Sequence, residues 1–478
     1  MLLAAVAVFA ICRLPSFFEP HWYTDEAGYS TTARSVLRGA ALYSQAWTNK
    51  PPIQIWLVAI PIRLFGPSEA GLHALTFLAG LIALVAAAGI AHRLLGRGRA
   101  MAATIALGIV LGLPLFNTEL IVPESLLIAP ATCAAAILVG RLLLAGPPTS
   151  WWWQWGWAVA TGALAGIAIG IQQTSLADAG AFALVIILST RIRRREILLY
   201  AGGVALVTAA WLGPSIAVAS PADVASALVG FYRGYASFSV PRSHTGLALR
   251  ATGPALALIG AFLNRRDARP VWSLWLWAAA VLAVPAIANR NYPHLLAPAL
   301  VPGILAVASL PLPFRGFRPR LVPLVAGVAM TSVFASVAWI ESKALEAYLT
   351  WPHAVATGHE AEWSLTLDSR GPSAEAIANW IHAHGLAGSR AVVWSSDAWL
   401  YMLADLPVSL PTAPIYNDVV LLGSGRAVAA RVTAIDPRVI VTTEGATRLW
   451  PDIEPLLARR YRLAFVSHRD RVYLRTVT

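Results

Sequence analysis

The sequence predicts a polytopic α-helical membrane protein with a C-terminal α/β domain outside the membrane. Of its 478 residues, 57% are hydrophobic and only 13% are charged, whereas about 25% are charged in soluble proteins. Long apolar runs recur as far as residue 340. Ten of the 24 acidic residues lie in residues 1–340 and fourteen in the last 138, which marks the boundary between a membrane part and a polar part.

About eleven membrane-spanning helices are predicted, because a spanning helix needs about 20 mainly apolar residues. The runs lie near residues 1–18, 70–93, 100–116, 123–144, 156–172, 175–190, 197–219, 245–263, 271–288, 293–312 and 321–340. The first run could instead be a cleaved signal peptide, but it lacks a basic segment before its apolar core. Residues 51–66 are apolar but contain Pro61 and Arg63, which favours a helix at the membrane interface.

Clusters of arginine predict the orientation of the chain. Together with the single Arg141, they occupy alternate connections, at residues 92–99, 191–195, 264–269 and 314–320, and the positive-inside rule places these in the cytoplasm. The predicted domains are therefore a transmembrane module over 1–340, whose first extracytoplasmic loop is 19–69 with interfacial helices, and an extracytoplasmic α/β domain over 341–478.

The C-terminal region has the pattern of alternating helices and strands. Residues 374–385 are predicted to form an amphipathic helix, residues 390–394 and 438–443 buried strands, and residues 471–477 an edge strand. Such alternation predicts a small α/β domain.

Nucleic acid is not predicted as a partner, although the net charge is +12. The basic residues form short clusters between apolar runs, which is typical of cytoplasmic loops beside a lipid bilayer. Both cysteines, Cys12 and Cys133, lie in apolar segments, so neither a disulfide framework nor a cysteine zinc site is supported.

Ionisable residues from distant parts of the chain gather at the predicted outer ends of the helices. These are Asp25, Glu26, Lys50, Glu119, Glu124, Arg290 and His294, with Asp178 near the outer end of its own helix. Polar groups at a membrane are costly, so a functional site is the default interpretation. The structural alternatives are a helix cap at Thr24 with acids in the first turn, and a snorkelling anchor for Lys50.

A family resemblance rests on several of these residues in order. The segments "DEAGY", "ARSVLRGAALY", "KPPIQIWLVAIPIRLFG", "PESLL" and "YPHLLAPALVPGILA" follow one another and resemble bacterial membrane glycosyltransferases of the GT-C class. Those enzymes are related to protein O-mannosyltransferases and the lipid A aminoarabinose transferase. The resemblance covers about residues 15–310. The chain departs from the pattern at Gln172 and Gln173, where relatives often carry lysine, and at Glu124, where many have aspartate.

The resemblance implies an inverting transfer of a sugar from a polyprenyl-phosphate donor to an extracytoplasmic glycolipid, polysaccharide or protein. Asp25 would be the catalytic base, with Glu26 orienting it or meeting a metal. The donor phosphate would be bound by Lys50, Arg290 and His294. Glu124 and Glu119 would bind the sugar or, with Asp25, a divalent cation such as Mg²⁺, Mn²⁺ or Zn²⁺. The setting would be the bacterial cytoplasmic membrane, with the site facing the periplasm.

Two other classes of function remain open. A transporter or lipid flippase would show charged or broken segments at mid-membrane and an internal repeat, and neither is evident in the sequence. A structural partner in an envelope complex would explain the C-terminal region but not the "DE" and "KPP" segments.

Overall fold

The computed structural model describes residues 2–144, 150–189, 194–237, 244–266, 269–288, 292–310 and 341–476. The chain divides into two compact units. The first comprises Met1–Ser16, Ala74–Gly213 and Val240–Leu349, and the second Phe17–His73, Pro214–Ser239 and Thr350–Thr478. The segment of the predicted first loop therefore shares a unit with most of the C-terminal region.

Helices form most of the described chain. Up to residue 310 they are α1 Leu2–Arg13, α2 Thr24–Leu37, α3 Pro52–Phe65, α4 Glu69–Leu94, α5 Arg97–Gly112, α6 Pro123–Leu142, α7 Trp157–Ile171, α8 Leu176–Leu188, α9 Arg194–Val218, α10 Pro221–Ala225, α11 Phe231–Ser237, α12 His244–Asn264, α13 Trp272–Ala288 and α14 Leu300–Ala308. After residue 340 they are α15 Ser342–Thr357, α16 Glu360–Leu367, α17 Arg370–Ala383, α18 Trp399–Leu403, α19 Ile415–Leu422, α20 Gly425–Ile435, α21 Glu444–Leu449 and α22 Glu454–Arg460.

Four of the described helical segments are long and apolar enough to cross a membrane. They are Glu69–Leu94, Pro123–Leu142, Gln154–Ile171 and Arg195–Val218. Shorter apolar helices occupy most of the other predicted runs, and the run at 321–340 lies outside the described residues. The count of about eleven spans stays a prediction. The helix predicted within 51–66 is present as α3, and its place at a membrane interface also stays a prediction.

Helices α7 and α9 of the first unit pack closely because glycines line their contact. A β-carbon at Gly162 would overlap the backbone oxygen of Tyr200, and one at Gly203 would overlap the backbone oxygen of Val159. Small residues allow helix backbones to approach in this way, and such packing drives helix association in membranes.

The C-terminal region of the second unit contains a four-stranded sheet. Its strands are β1 Ala391–Trp394, β2 Val439–Thr443, β3 Tyr461–Ser467 and β4 Asp470–Arg475, in the order β1-β2-β4-β3. The β1–β2 pair is parallel and the other two pairs are antiparallel. Buried apolar residues of the strands and the neighbouring helices form one core cluster, with Trp394 and Ile440 from the sheet and Ile415 from a helix.

The prediction that residues 471–477 form an edge strand is wrong, because β4 lies between β2 and β3. The edge strands are β1 and β3, and the sequence pattern did not reveal β3. Its pairing with β4 is irregular between Leu463 and Phe465, and this irregularity breaks the period-two alternation by which a strand is recognised.

Replacing Gly203 by alanine is expected to destabilise the α7–α9 contact by about 1–3 kcal/mol, as overpacking typically does. Gly202 is the matched control, because its β-carbon would meet nothing within 4 Å and alanine is the better helix former by about 1 kcal/mol. The stability of each variant is measured as the thermal unfolding midpoint of the purified protein in detergent. Equal midpoints for G203A and G202A would contradict the close approach.

Candidate active site

Helix α2 holds the two acids of the "DEAGY" segment in different surroundings. The helix begins at Thr24, so Asp25 and Glu26 lie in its first turn, where the helix dipole favours negative charge. Asp25 is half-buried, whereas the Glu26 side chain is fully buried. The structural alternative of a cap at Thr24 is wrong: the cap position is Tyr23, which makes no side-chain capping bond. Thr24 instead accepts a hydrogen bond from Arg370 at 2.9 Å.

The buried acid belongs to a cluster of three ionisable residues. Glu69 and His73 lie one turn apart in α4, and His73 Nε2 is 3.4 Å from Glu26 Oε2 and 3.6 Å from Glu69 Oε2. Within the described residues this is a group of acids and histidine whose ligand atoms lie close enough to hold one cation. Neither Asp25 nor Glu124 is a member, so metal binding by those two residues stays a prediction.

Contacts with the C-terminal region fix α2 along its length. Arg34 donates to the Leu406 backbone oxygen at 2.7 Å, and Thr31 donates to that of Ala398 at 3.2 Å. A β-carbon at Gly28 would lie 3.1 Å from the Pro414 ring, so a side chain in place of the glycine of "DEAGY" would crowd that ring.

Asp397 directly precedes Ala398, the partner of Thr31. It is buried and accepts a hydrogen bond from the Trp399 backbone amide at 3.1 Å. Burial raises the pKa of Asp397 to about 7. Asp397 is therefore another buried carboxyl in the unit that contains Glu26 and Glu69.

Lys50 lies beside the face of α2 that carries Asp25. Its ammonium nitrogen is 6.0 Å from the centre of the Tyr29 ring, and Tyr29 is one helical turn beyond Asp25, on the same face. The backbone at Lys50 is fixed by Tyr43, whose hydroxyl donates to the Lys50 carbonyl at 2.9 Å. Tyr43 is buried and has φ of 75°, a conformation that costs energy in a non-glycine residue.

Aromatic residues of the 220–244 segment support the same loop. Tyr232 donates to the Asn49 backbone oxygen at 3.3 Å, and the Phe231 ring lies 5.0 Å from that of Trp47. Tyr232 and Phe231 therefore pack against the loop that precedes Lys50.

The first unit contains a second group of polar residues, around Glu124. This acid follows Pro123 at the start of α6, is 2% exposed, and accepts a hydrogen bond from Gln172 at 3.0 Å. Asp178, also buried, accepts one from Trp277 at 2.7 Å. Both acids line a cavity together with Thr174, Val281, Val284, Leu295 and Pro298.

The other predicted residues of this unit have separate surroundings. Glu119 is buried 4.0 Å from Arg13, and Arg13 also donates to Thr76 at 3.0 Å, an arrangement that favours a structural role for Glu119. His294 stacks on Tyr292, with ring centres 5.4 Å apart. Arg290 lies outside the described residues.

Sequence reasoning missed Glu69 and His73, although they carry one usable signal. They are an acid and a histidine at i and i+4 in an otherwise apolar helix, the spacing that puts both on one face. It also missed Arg13 and the bond of Gln172 to Glu124, for which the sequence offers no local pattern.

The sequence resemblance is confirmed by a family comparison. The model of the dolichyl-phosphate-mannose-protein mannosyltransferase family matches residues 49–213, about a third of the chain. That stretch includes Lys50, Glu69, His73 and Glu124 but not Asp25. No curated protein matches the chain by sequence.

Solved structures confirm that the chain has the GT-C fold. ArnT from Cupriavidus metallidurans bound to undecaprenyl phosphate is similar with a TM-score of 0.64 and 16% identity, over 98% of this chain and 97% of that one. The apo form of the same protein is similar with a TM-score of 0.62 and 17% identity, again over 98% of this chain and 97% of that one. A third similar structure is the archaeal oligosaccharyltransferase AglB from Archaeoglobus fulgidus in complex with an inhibitory peptide and a dolichol-phosphate. Its TM-score is 0.50 and its sequence identity 12%, over 96% of this chain and 72% of that one.

Replacing Arg34 by alanine is expected to loosen α2 from the C-terminal region. A half-buried guanidinium bonded to a backbone oxygen contributes about 1.5–3 kcal/mol. Arg38 is the control: its side chain is 56% exposed and its pair with Asp405 should contribute at most about 1 kcal/mol. The thermal unfolding midpoints of R34A and R38A are measured and compared with that of wild type. An equal decrease in the midpoint for the two variants would show that the Arg34 contact does not hold α2.

Proposed function

We propose that the protein is a membrane glycosyltransferase that moves a sugar from a polyprenyl-phosphate donor to an acceptor outside the cytoplasm. The observation that carries the proposal is the placement of a half-buried carboxylate, Asp25, and a lysine, Lys50, along one face of α2. A displacement at a sugar carbon with a phosphate leaving group needs these two kinds of group.

The comparisons support this class of reaction. The family model that includes Lys50 is that of mannosyltransferases using dolichyl-phosphate-mannose. Two proteins with the same fold carry lipid phosphates, undecaprenyl phosphate in ArnT and a dolichol-phosphate in AglB. A phosphorylated polyprenyl chain is therefore the proposed carrier of the sugar. The transporter alternative has no comparable support in the described residues.

The proposed reaction is a single inverting displacement. The acceptor hydroxyl oxygen attacks the anomeric carbon, the bond from that carbon to the phosphate oxygen breaks with its electron pair going to the phosphate, and Asp25 takes the hydroxyl proton. The ammonium of Lys50 stabilises the negative charge that grows on the leaving phosphate. No covalent intermediate between sugar and enzyme is needed, so the configuration at the anomeric carbon is inverted.

The first unit is proposed to bind polar parts of the substrates. Glu124 and Asp178 line its cavity, and their carboxylates can accept hydrogen bonds from sugar hydroxyls. His294, next to the cavity residue Leu295, keeps its proposed role in binding phosphate, as does Arg290. We place the active site on the periplasmic side of a bacterial cytoplasmic membrane, following the arginine distribution.

Replacing Asp25 by asparagine is expected to lower sugar transfer by about 10²- to 10⁴-fold, the usual effect of losing a general base. The change is nearly isosteric, so the protein should still fold. Release of labelled sugar from a purified polyprenyl-phosphate sugar measures the rate. Glu362→Gln is the control, because Glu362 is an exposed acid of α16. Undiminished transfer by a folded D25N protein would remove Asp25 as the base.

Replacing Lys50 by alanine is expected to weaken binding of undecaprenyl phosphate by about 10- to 100-fold, because a hydrogen bond to a charged group contributes about 1.5–3 kcal/mol. The chain has one other lysine, Lys343, which is exposed at the start of α15, so K343A is the matched control. Binding to protein in lipid nanodiscs is measured by native mass spectrometry. Equal affinities of K50A and K343A would show that Lys50 does not bind the donor.

A further inference from the structure

The cluster of Glu26, Glu69 and His73, here called the acid–histidine cluster, is buried to an unusual degree for three ionisable residues. The exposed fractions are 0%, 6% and 1%. A hydrogen bond links the carboxyl groups of Glu69 and Glu26, but no other described group donates to either carboxylate oxygen of Glu69, and both oxygens are buried. Burying a charge costs several kcal/mol unless it is paired and hydrogen-bonded. A further partner for Glu69 would therefore stabilise the cluster.

The distances within the cluster fit ligands around one metal ion. A charge-assisted hydrogen bond between nitrogen and oxygen measures about 2.7–2.9 Å, and His73 Nε2 is 3.4 Å from Glu26 Oε2 and 3.6 Å from Glu69 Oε2. Ligands bonded at about 2.0–2.1 Å to a tetrahedral ion lie about 3.3 Å from one another. The three ligand atoms all lie within 4.8 Å of one another, so one ion can contact all of them.

The electric charge of the cluster also favours a cation. A divalent ion bound by two carboxylates and a neutral histidine makes the cluster electrically neutral. Glu19, which is also buried, adds further negative charge near Glu69, and solvent screens little of this repulsion.

We infer that Glu26, Glu69 and His73 bind one divalent transition-metal ion, for which Zn²⁺ is the best fit. Imidazole nitrogen suits Zn²⁺ better than Mg²⁺ or Ca²⁺, and Zn²⁺ accepts mixed nitrogen and carboxylate ligands in a tetrahedral site. The fourth position is left to water. The site differs from the cation predicted at Asp25 and Glu124, since it contains neither of those residues.

The ion joins α2 to the first turn of α4. Glu26 is the third residue of α2, while Glu69 and His73 are the first and fifth residues of α4. Asp25 precedes Glu26 directly, so an ion on Glu26 fixes the start of α2 and with it the direction of the Asp25 side chain. Its role is positioning, and the inference rests on the cluster alone, not on the proposed transferase activity.

The test is the metal content of the purified full-length chain, with any polyhistidine tag removed. The protein is stripped of metal with a chelator, incubated with Zn²⁺ and desalted. Its zinc content per chain is then measured by elemental mass spectrometry. Wild type should retain about one zinc ion per chain, whereas Glu69→Gln and His73→Leu should each retain less than about 0.2 because a ligand is lost. A folded wild-type protein that retains less than about 0.2 zinc ions per chain would overturn the inference.

A matched control separates this site from adventitious binding to histidine and acid. His21 and Glu375 form another such pair, 3.3 Å apart, in which the Glu375 side chain is 52% exposed. Glu375→Gln should therefore retain the full zinc content. Zinc retained by both E69Q and H73L would place the metal elsewhere and overturn the assignment.

A second measurement covers the case in which the cluster variants fail to fold. Co²⁺ loaded into the stripped wild-type protein should give the intense visible absorption of a tetrahedral site, and added Zn²⁺ should abolish it. Zn²⁺ should also raise the thermal midpoint of wild type, as any ligand of the folded state does. The weak spectrum of hydrated Co²⁺, with an unchanged midpoint, would show that the cluster shares protons instead of a metal.

Discussion

Burial of the Glu26 carboxylate is the constraint on which the second unit depends. Glu26 and Asp25 are adjacent in α2, and successive residues of a helix point about 100° apart. Turning Glu26 fully inside leaves Asp25 half-buried at the edge of the same helix. A buried charge must be compensated nearby, so the start of α4, with Glu69 and His73, has to lie against α2. The electrostatics of one acid thus determines where its neighbour points.

The C-terminal region supplies the other support of α2. Arg34 and Thr31 donate to backbone oxygens of the 398–406 segment, and Gly28 lies against Pro414. Backbone acceptors do not vary with sequence, which makes such contacts tolerant of change in the partner segment. The sheet and its packed core therefore hold in place the helix that carries Asp25, in addition to any part they take in binding an acceptor.

Features that show in a local sequence pattern were predicted from the sequence, whereas contacts between residues far apart in the chain were missed. Apolar runs predicted the helices, and β1 and β2 were found as short apolar strands. The strand β3 escaped because its irregular pairing with β4 disturbs the alternation. Asp25, Lys50 and Glu124 were chosen from their sequence context and the family pattern. Glu69 and His73 were missed although their i and i+4 spacing in an apolar helix is a usable signal. Arg13 was missed because its partners lie far along the chain and leave no pattern in the residues around it.

The loop that presents Lys50 shows how the position of a flexible side chain is controlled. Its backbone carbonyl is held by Tyr43, whose positive φ is maintained only because the surrounding packing compensates its cost. From another part of the chain, Tyr232 donates to the backbone oxygen of Asn49 and Phe231 packs against Trp47, one and three residues before Lys50. The ammonium group itself, near the ring of Tyr29, is a compact charge on a flexible stem, unlike the planar guanidinium of arginine. In the proposed function, a lysine with a fixed backbone and a flexible side chain follows the phosphate as the bond to it breaks, and this proposal accounts for a lysine in a chain whose other cations are nearly all arginine.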